Sequence, residues 1–218
     1  MRAVPPPTRS AVATRRLRSN LTGSAEFRAV VLAGGTSRRM GRDKAFIELD
    51  GLPLVSRCCG AVVEAGAREV IVVGGDRPRL EALGLAVVDD SYPGRGPVGG
   101  VVTALEAGQG PDLVVVLACD LAAPSPTAVD LTVEALVAHP EAGVARPSYQ
   151  QMPQWLHGCW RVSTALEPLR DAFDRGARSF REATAGLVVV GVEGVASSHL
   201  TDLDTVHDLE QARGRQLP

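Results

Sequence analysis

The chain has 218 residues, 45% of them apolar, and a formal net charge of −2, which suits one domain with a sizeable core. That charge gives no reason to expect nucleic acid or an anionic membrane as a partner, and no apolar run reaches the roughly 18 residues of a membrane span. Four cysteines (Cys58, Cys59, Cys119, Cys159) show neither zinc nor C-x-x-C spacing, so a reduced, cytoplasmic setting is expected.

The chain opens on a segment unlike the rest. Met1 to Arg18 holds three consecutive prolines and five arginines with no acidic residue. Residues 1–27 are read as a disordered tail or an over-called start, and their composition is loosely compatible with an organellar transit peptide. The fold is expected to begin near Phe27, with residues 28–218 forming a single domain. From there apolar β-branched runs alternate with helical periodicity. The pattern predicts strand 29–33, helix 53–65, strand 69–73, strand 86–88, helix 97–107, strand 112–118 and helix 127–138. Residues 140–161 are less regular, with several prolines ahead of a strand at 155–160. Helices near 163–174 and 178–184, a strand at 187–192 and a last helix from Asp204-Thr205 to about Arg213 complete the chain. Such alternation implies an α/β fold of three layers, Rossmann-like, with a mainly parallel central sheet covered on both faces. Ligands of open α/β sheets bind beyond the carboxyl ends of the strands. Residues 33–44, 74–76, 89–100 and 118–122 are therefore expected to converge on one edge.

The loop after the first strand carries the densest signal. Val30, Val31 and Leu32 end abruptly at Gly34-Gly35, and Arg38, Arg39, Gly41, Asp43 and Lys44 follow. Glycines permit close backbone approach, and successive amides with nearby cations can cradle a polyphosphate. The spacing is not that of a P-loop, because five residues separate Gly35 from Gly41 where four are required. The dinucleotide pattern G-x-G-x-x-G is absent as well.

Asp120 ends the most apolar strand. An acid there is costly without a cation or hydrogen-bond donors; the competing reading is an N-cap, although Pro124-Ser125-Pro126-Thr127 offers better caps. Between Asp89 and Gly100 lie Gly94, Gly96, Gly99 and Gly100, which suit a loop laid against a nucleotide at a helix start. Asp202 and Asp204 precede the last helix, where Asp204 is either a metal ligand or a simple cap. The four histidines lack ligand spacing. His157 is read as a satisfied core histidine ahead of a substrate-pocket residue, and no Ser-His-Asp or Cys-His arrangement is legible.

The string Leu32-Ala33-Gly34-Gly35, Arg39-Met40-Gly41, Asp43-Lys44 and Gly51-Leu52-Pro53-Leu54 resembles the signature of the molybdenum cofactor guanylyltransferases, within the larger group of nucleotidyltransferases. Asp90 with Pro93-Gly94-Arg95-Gly96-Pro97-Val98-Gly99-Gly100 resembles a second family loop. Leu117-Ala118-Cys119-Asp120 resembles the segment that supplies the family's magnesium ligand, although its usual proline after the acid is displaced to Pro124. Asp202 and Asp204 stand where the family has asparagines. The resemblance implies transfer of GMP from GTP to the phosphate of molybdenum-molybdopterin, with Mg2+ as cofactor and contacts to a molybdoenzyme or cofactor carrier. It implies Arg39, Lys44 and Asp120 as catalytic residues. Leu32, Ala33, Gly34, Gly35, Lys44, Asp90 and Asp120 would bind the nucleotide and its metal, with Asp89 as the alternative to Asp90. Asp120 and Asp204 would hold the metal, with Asp202 as the alternative to Asp204. A sister group uses CTP and commonly carries Leu-Ala-Ala-Gly, so Gly34 favours GTP. A non-catalytic nucleotide- or cofactor-binding protein is the reading of another class.

Overall fold

The computed structural model describes residues 25–34 and 43–214. One sheet organises them, with strand order β10-β7-β9-β6-β1-β4-β5. Its members are β1 (Phe27–Leu32), β4 (Val70–Val73), β5 (Val87–Val88), β6 (Leu113–Ala118), β7 (Val144–Tyr149), β9 (His157–Arg161) and β10 (Val189–Val192), and β8 (Met152–Pro153) pairs on β7 as a hairpin. β1 is parallel to β4 and β6, β4 to β5, and β10 to β7. Within that seven-strand order only β9 runs antiparallel, against both β6 and β7. The expected mainly parallel α/β architecture is present.

The central strands are apolar at nearly every position because both faces are covered. On one face Ala29, Val31, Val115, Leu117 and Cys159 pack with helices α1 (Leu54–Glu64) and α4 (Pro126–Val137) through Val55, Cys58, Val62, Val129 and Leu136. On the other, Val30, Leu32, Val73, Val116 and Trp160 pack with α3 (Pro97–Glu106) and α5 (Val162–Asp174) through Val98, Val101, Leu105, Leu169 and Phe173. Each fully buried Val, Leu or Phe contributes about 1.5–3 kcal/mol. Cys58, Cys59, Cys119 and Cys159 are all buried free thiols.

A third, small cluster matters for the site. Ile47, Leu49 and Leu54, around the ribbon β2 (Glu48–Leu49) and β3 (Leu52–Pro53), enclose Leu203 from the far end of the chain. Short helices α2 (Arg77–Ala82) and α6 (Phe180–Ala183) and the terminal helix α7 (Val206–Gly214) complete the described elements. No helix among the described residues is long and apolar enough to cross a membrane.

The irregularity expected over 140–161 is resolved into β7, the β8 hairpin and β9. β7 escapes a pattern reading because Arg146, Pro147 and Ser148 interrupt its apolar run. Only pairing with β9 and β10 makes it a strand.

Candidate active site

Residues 33–34 and 43–44, the described ends of the loop after β1, converge with the loops that follow β4, β5 and β6, as the strand assignments predict. They border one cleft of about 990 Å³, ample for a nucleotide and a second ligand. The amide of Ala33 donates to the Val73 carbonyl (3.0 Å) and that of Gly74 to Val88 (2.9 Å). Ladder pairing thus continues past the strand ends and fixes the height of each loop. Gly34 and Gly74 meet where the loops cross. A Cβ on Gly74 would lie 3.2 Å from Gly34 Cα, and φ there is +73°. Only glycine satisfies both conditions.

Asp90 is held from two sides. Its Oδ1 accepts from the Tyr92 amide (2.9 Å) and from Thr103 Oγ1 (3.1 Å). Thr103 is buried in α3, and Tyr92 sets its ring edge-on to Phe173 with centroids 4.9 Å apart. The second carboxylate oxygen faces the glycine crossing, 3.8 Å from where a Gly34 Cβ would stand. Asp89 is exposed and paired with Arg77 at 2.8 Å. Of the two candidates, Asp90 is the one anchored in the cleft.

Asp120 and Lys44 form the centre. Asp43 caps a 3-10 turn, Lys44–Phe46, by accepting from the Ala45 amide at 3.1 Å. The turn aims Lys44 Nζ at Asp120 Oδ2 (2.8 Å) and at Asp204 Oδ1 (2.6 Å). Burial alone would lower the lysine pKa, but hydrogen bonds to the two carboxylates outweigh it and raise the pKa above the ordinary value. Lys44 is a firm cation across the neutral range.

Asp120 is no helix cap, since Ser125 accepts from the Ala128 amide and starts α4. Asp204 does not cap α7 either. The Thr205 hydroxyl accepts from the Asp208 amide (3.1 Å), and the Asp208 carboxylate accepts from the Thr205 amide (2.7 Å). That reciprocal box leaves the Asp204 side chain free to reach Lys44.

The C-terminal segment is stitched to the Asp120 loop. Leu203 donates its amide to the Asp120 carbonyl and Ala122 to Thr201, both at 2.9 Å, and Leu121 bridges Asp202. Asp202 consequently joins the same acidic corner. Crowding by protein and the charges of Asp120 and Asp204 push its pKa up to about 7, against the pull of Lys44. Because its side chain keeps solvent contact, the neighbouring charges are the firmer cause. The sequence motif names Asp202 only as an alternative; its closeness to Asp120 depends on the bridge.

Leu32, Ala33, Gly34, Lys44, Asp90 and Asp120 all border the cleft, together with Asp202. Gly35, Arg38, Arg39, Met40 and Gly41 lie outside the described residues, as does nearly all of the expected tail at 1–27. His157 departs from its expected role. It is buried, yet neither ring nitrogen has a hydrogen-bond partner among the described residues, and it borders the cleft. Thr103, Trp155 and Phe180 carry no motif. The available hint is that a chain with 4% aromatic residues places two tryptophans five positions apart.

A family model described as MobA-like NTP transferase domain matches residues 29–188. The Opitutus terrae protein named "Probable molybdenum cofactor guanylyltransferase" is 43% identical over 95 residues, 43% of this chain and 47% of its own length. The chain thus spans about half of that relative. A molybdenum cofactor guanylyltransferase from Rhodobacter capsulatus is 32% identical over 194 residues, 85% of this chain and 94% of its own. Among solved structures, molybdopterin-guanine dinucleotide biosynthesis protein A from Archaeoglobus fulgidus shares the fold with a TM-score of 0.68 at 23% identity, covering 86% of this chain and 97% of its own. A parallel sheet whose glycine loops and lysine–aspartate centre sit on one edge, matched by that family model over most of its length, places this chain in the MobA-like NTP transferase family.

Proposed function

We propose that the chain transfers GMP from GTP to the phosphate of molybdenum-molybdopterin and releases pyrophosphate. The single observation that carries this reading is that Lys44 and Asp120 border the cleft as an ion pair, with Lys44 also bound to Asp204, which is not one of the residues lining the cleft. An acceptor phosphate oxygen attacks the α-phosphorus; the new P–O–P bond forms as the α–β bond breaks, and the electron pair leaves with pyrophosphate. The nucleophile is already an anion, so no strong base is required. Positioning two anions and neutralising their charge is the whole task.

Each residue has a share in that task. Gly34 and Gly74 allow the nucleotide close to the backbone. An alanine at position 34 would meet only ordinary contacts, at 3.8 and 3.9 Å, so protein packing does not demand glycine there and close approach of a ligand to the backbone is a reason for it. Asp90, held by Thr103, orients sugar or base. Lys44 stabilises the triphosphate and the departing pyrophosphate, joined by Arg39 and Gly35 on the strength of the motif.

A divalent cation fits this corner. Among the described residues no group of three or more His, Cys, Asp and Glu side chains forms a ready cage. Mg2+, however, is commonly held by one or two carboxylates plus substrate phosphates. Asp120 and Asp204 already share one cation, Lys44, and the Leu121–Asp202 bridge brings a third carboxylate-bearing residue to the same corner. Bound there, Mg2+ would supply charge neutralisation at the phosphate oxygens.

The deciding experiment offers GTP, CTP, ATP and UTP in turn, with Mg2+ and molybdenum-molybdopterin, and measures pyrophosphate. GTP alone should support rapid release. Preference for CTP would assign the chain to the cytidylyl branch, and tight GTP binding without release would make it a binder. Asp120→Asn should cut turnover by about 100-fold or more, as expected for loss of a charge-stabilising group, with GTP affinity little changed. Unaltered turnover would remove Asp120 from the chemistry.

A further inference from the structure

The cleft has a second arm that the transfer machinery leaves unused. Asp120 ends β6, and β6 lies between β1 and β9 in the sheet. The glycine crossing and Asp90 follow β1, β4 and β5 on one side. On the other side, the segment entering β9 supplies Gln154, Trp155 and His157, and Phe180 closes beside them. Because β9 is antiparallel to β6, its first residues reach the carboxyl edge, with His157 opposite Leu117.

This arm gathers aromatic surface. Trp155 stacks on Phe180 with centroids 5.4 Å apart and planes at 18°, and Trp160 tilts against both at 6.2 and 6.1 Å. Trp160 is fully buried and forms the base of the wall; Trp155 and Phe180 are half-buried and border the cleft. Both tryptophans of the chain are in this wall. Arg146 also stands over the Trp155 ring, 5.2 Å from its centroid, and a wall of aromatic rings and one guanidinium favours a flat, polar-edged ring laid beside it.

His157 is an independent observation. It is 2% exposed, borders the cleft, and neither ring nitrogen has a hydrogen-bond partner among the described residues. Leaving a buried polar group unpaired costs about 1–3 kcal/mol, so a native structure that does so invites a ligand or an ordered water. Burial lowers the ring's pKa to about 4. Neutral imidazole offers one donor and one acceptor, the complement of a heterocycle edge that carries both, met directly or through one water.

We propose that this arm is the acceptor subsite, in which Trp155 and Phe180 hold a flat heterocycle of the acceptor and His157 reads its donor–acceptor edge. The proposal rests on the transfer reaction above and adds to it a place and a ring chemistry for the acceptor. Guanine presents the same kind of edge, so GTP is the competing occupant. Position decides between them. The wall lies across Asp120 from the glycine crossing and Asp90, the side assigned above to the nucleoside, so its occupant reaches the α-phosphate from a separate place.

Two measurements on the full chain test it. In steady-state transfer, Trp155→Ala should raise the acceptor KM about tenfold or more, as stacking losses do, with the GTP KM unchanged, and Trp155→Phe should restore most of the loss. In the unaltered chain, tryptophan fluorescence should be quenched on titration with pterin-6-carboxylate and not with GTP. A rise in GTP KM alone, or quenching by GTP and not by the pterin, assigns the wall to guanine and overturns the proposal. Absence of pterin quenching overturns it too, whether or not Trp155→Ala folds. If no nucleotide supports transfer, the reaction reading fails separately; saturable pterin quenching abolished by His157→Phe would still support the subsite.

Discussion

Gly74→Ala is the sharpest probe of how the nucleotide side of the cleft is built. At φ +73° an alanine pays about 1–2 kcal/mol for the left-handed backbone. Its Cβ would also stand 3.2 Å from Gly34 Cα, 3.3 Å from Gly34 N and 3.6 Å from Asp90 Cβ. The two nearest atoms are backbone that cannot swing aside, so relief requires the β1 and β4 loops to part, at about 1–3 kcal/mol for overpacking. The total is about 2–5 kcal/mol, a fall in melting temperature of roughly 10 °C for a chain of this size. Gly84→Ala supplies the control, because its φ is +78° and nothing lies within 4 Å of its Cβ position; it should show the backbone cost alone. Parting the loops also moves Asp90 and the Gly34 backbone, so Gly74→Ala should weaken GTP binding about tenfold, the equivalent of one misplaced hydrogen bond, while Gly84→Ala leaves it intact. Thermal melts and GTP titration read both effects. Equal melting temperatures with equal GTP affinity would refute a backbone contact at the crossing.

Three further outcomes are expected. Thr103→Val keeps the shape of a buried side chain but removes the hydroxyl that donates to Asp90 and accepts from Ser91; the GTP KM should rise roughly fivefold, in line with a lost hydrogen bond of about 1 kcal/mol, with kcat nearly unchanged. Acidification should destabilise the fold through His157. Its folded pKa of about 4 lies below the ordinary 6.5, so the unfolded chain binds the extra proton between those values and stability falls as pH drops through that window. From pH 7 to 5 the loss is about 2 kcal/mol, and urea melts of His157→Phe should lack that increment. Arg28→Met should lower unfolding free energy by about 3 kcal/mol without changing KM. Buried Arg28 donates to Ala104 (3.2 Å), Leu105 (3.0 Å) and Ala107 carbonyls and closes the far end of α3, away from the cleft.

The central strands and the helices that cover them were legible because their apolar residues recur with a simple period. β6 is apolar throughout, and α1 repeats Leu54, Val55, Cys58, Cys59 and Val62 on one face. Where an element depends on its neighbours the pattern fails. The turn of the β7–β8 hairpin uses Gln150 and Gln151 at φ 48° and 63°, positions where glycine or asparagine would be the signal. α2 is six residues long and begins Arg77-Pro78, too short for periodicity. At the site, Asp90 and Asp120 were legible as acids just beyond the ends of apolar strands, and Lys44 as the cation of the loop that follows β1. Thr103 was not legible, Asp202 was legible only as the alternative to Asp204, and His157 was read first as a satisfied core histidine, because burial and contacts across many residues of chain decide the surroundings of all three.

By itself the sequence determined the class of fold and the edge on which chemistry collects, since burial on both faces forces strands to be apolar and leaves charges only at their ends. It also marked a glycine-rich, cationic loop whose spacing is neither that of a P-loop nor that of the dinucleotide motif. Tertiary structure alone decided that the Asp204 carboxylate meets Lys44 rather than a helix end, that Asp90 and not Asp89 is anchored in the cleft, and that His157 is buried without a hydrogen-bond partner among the described residues. Those outcomes depend on which side chains meet when distant strand ends are brought to one edge, and no local pattern of residues encodes that meeting.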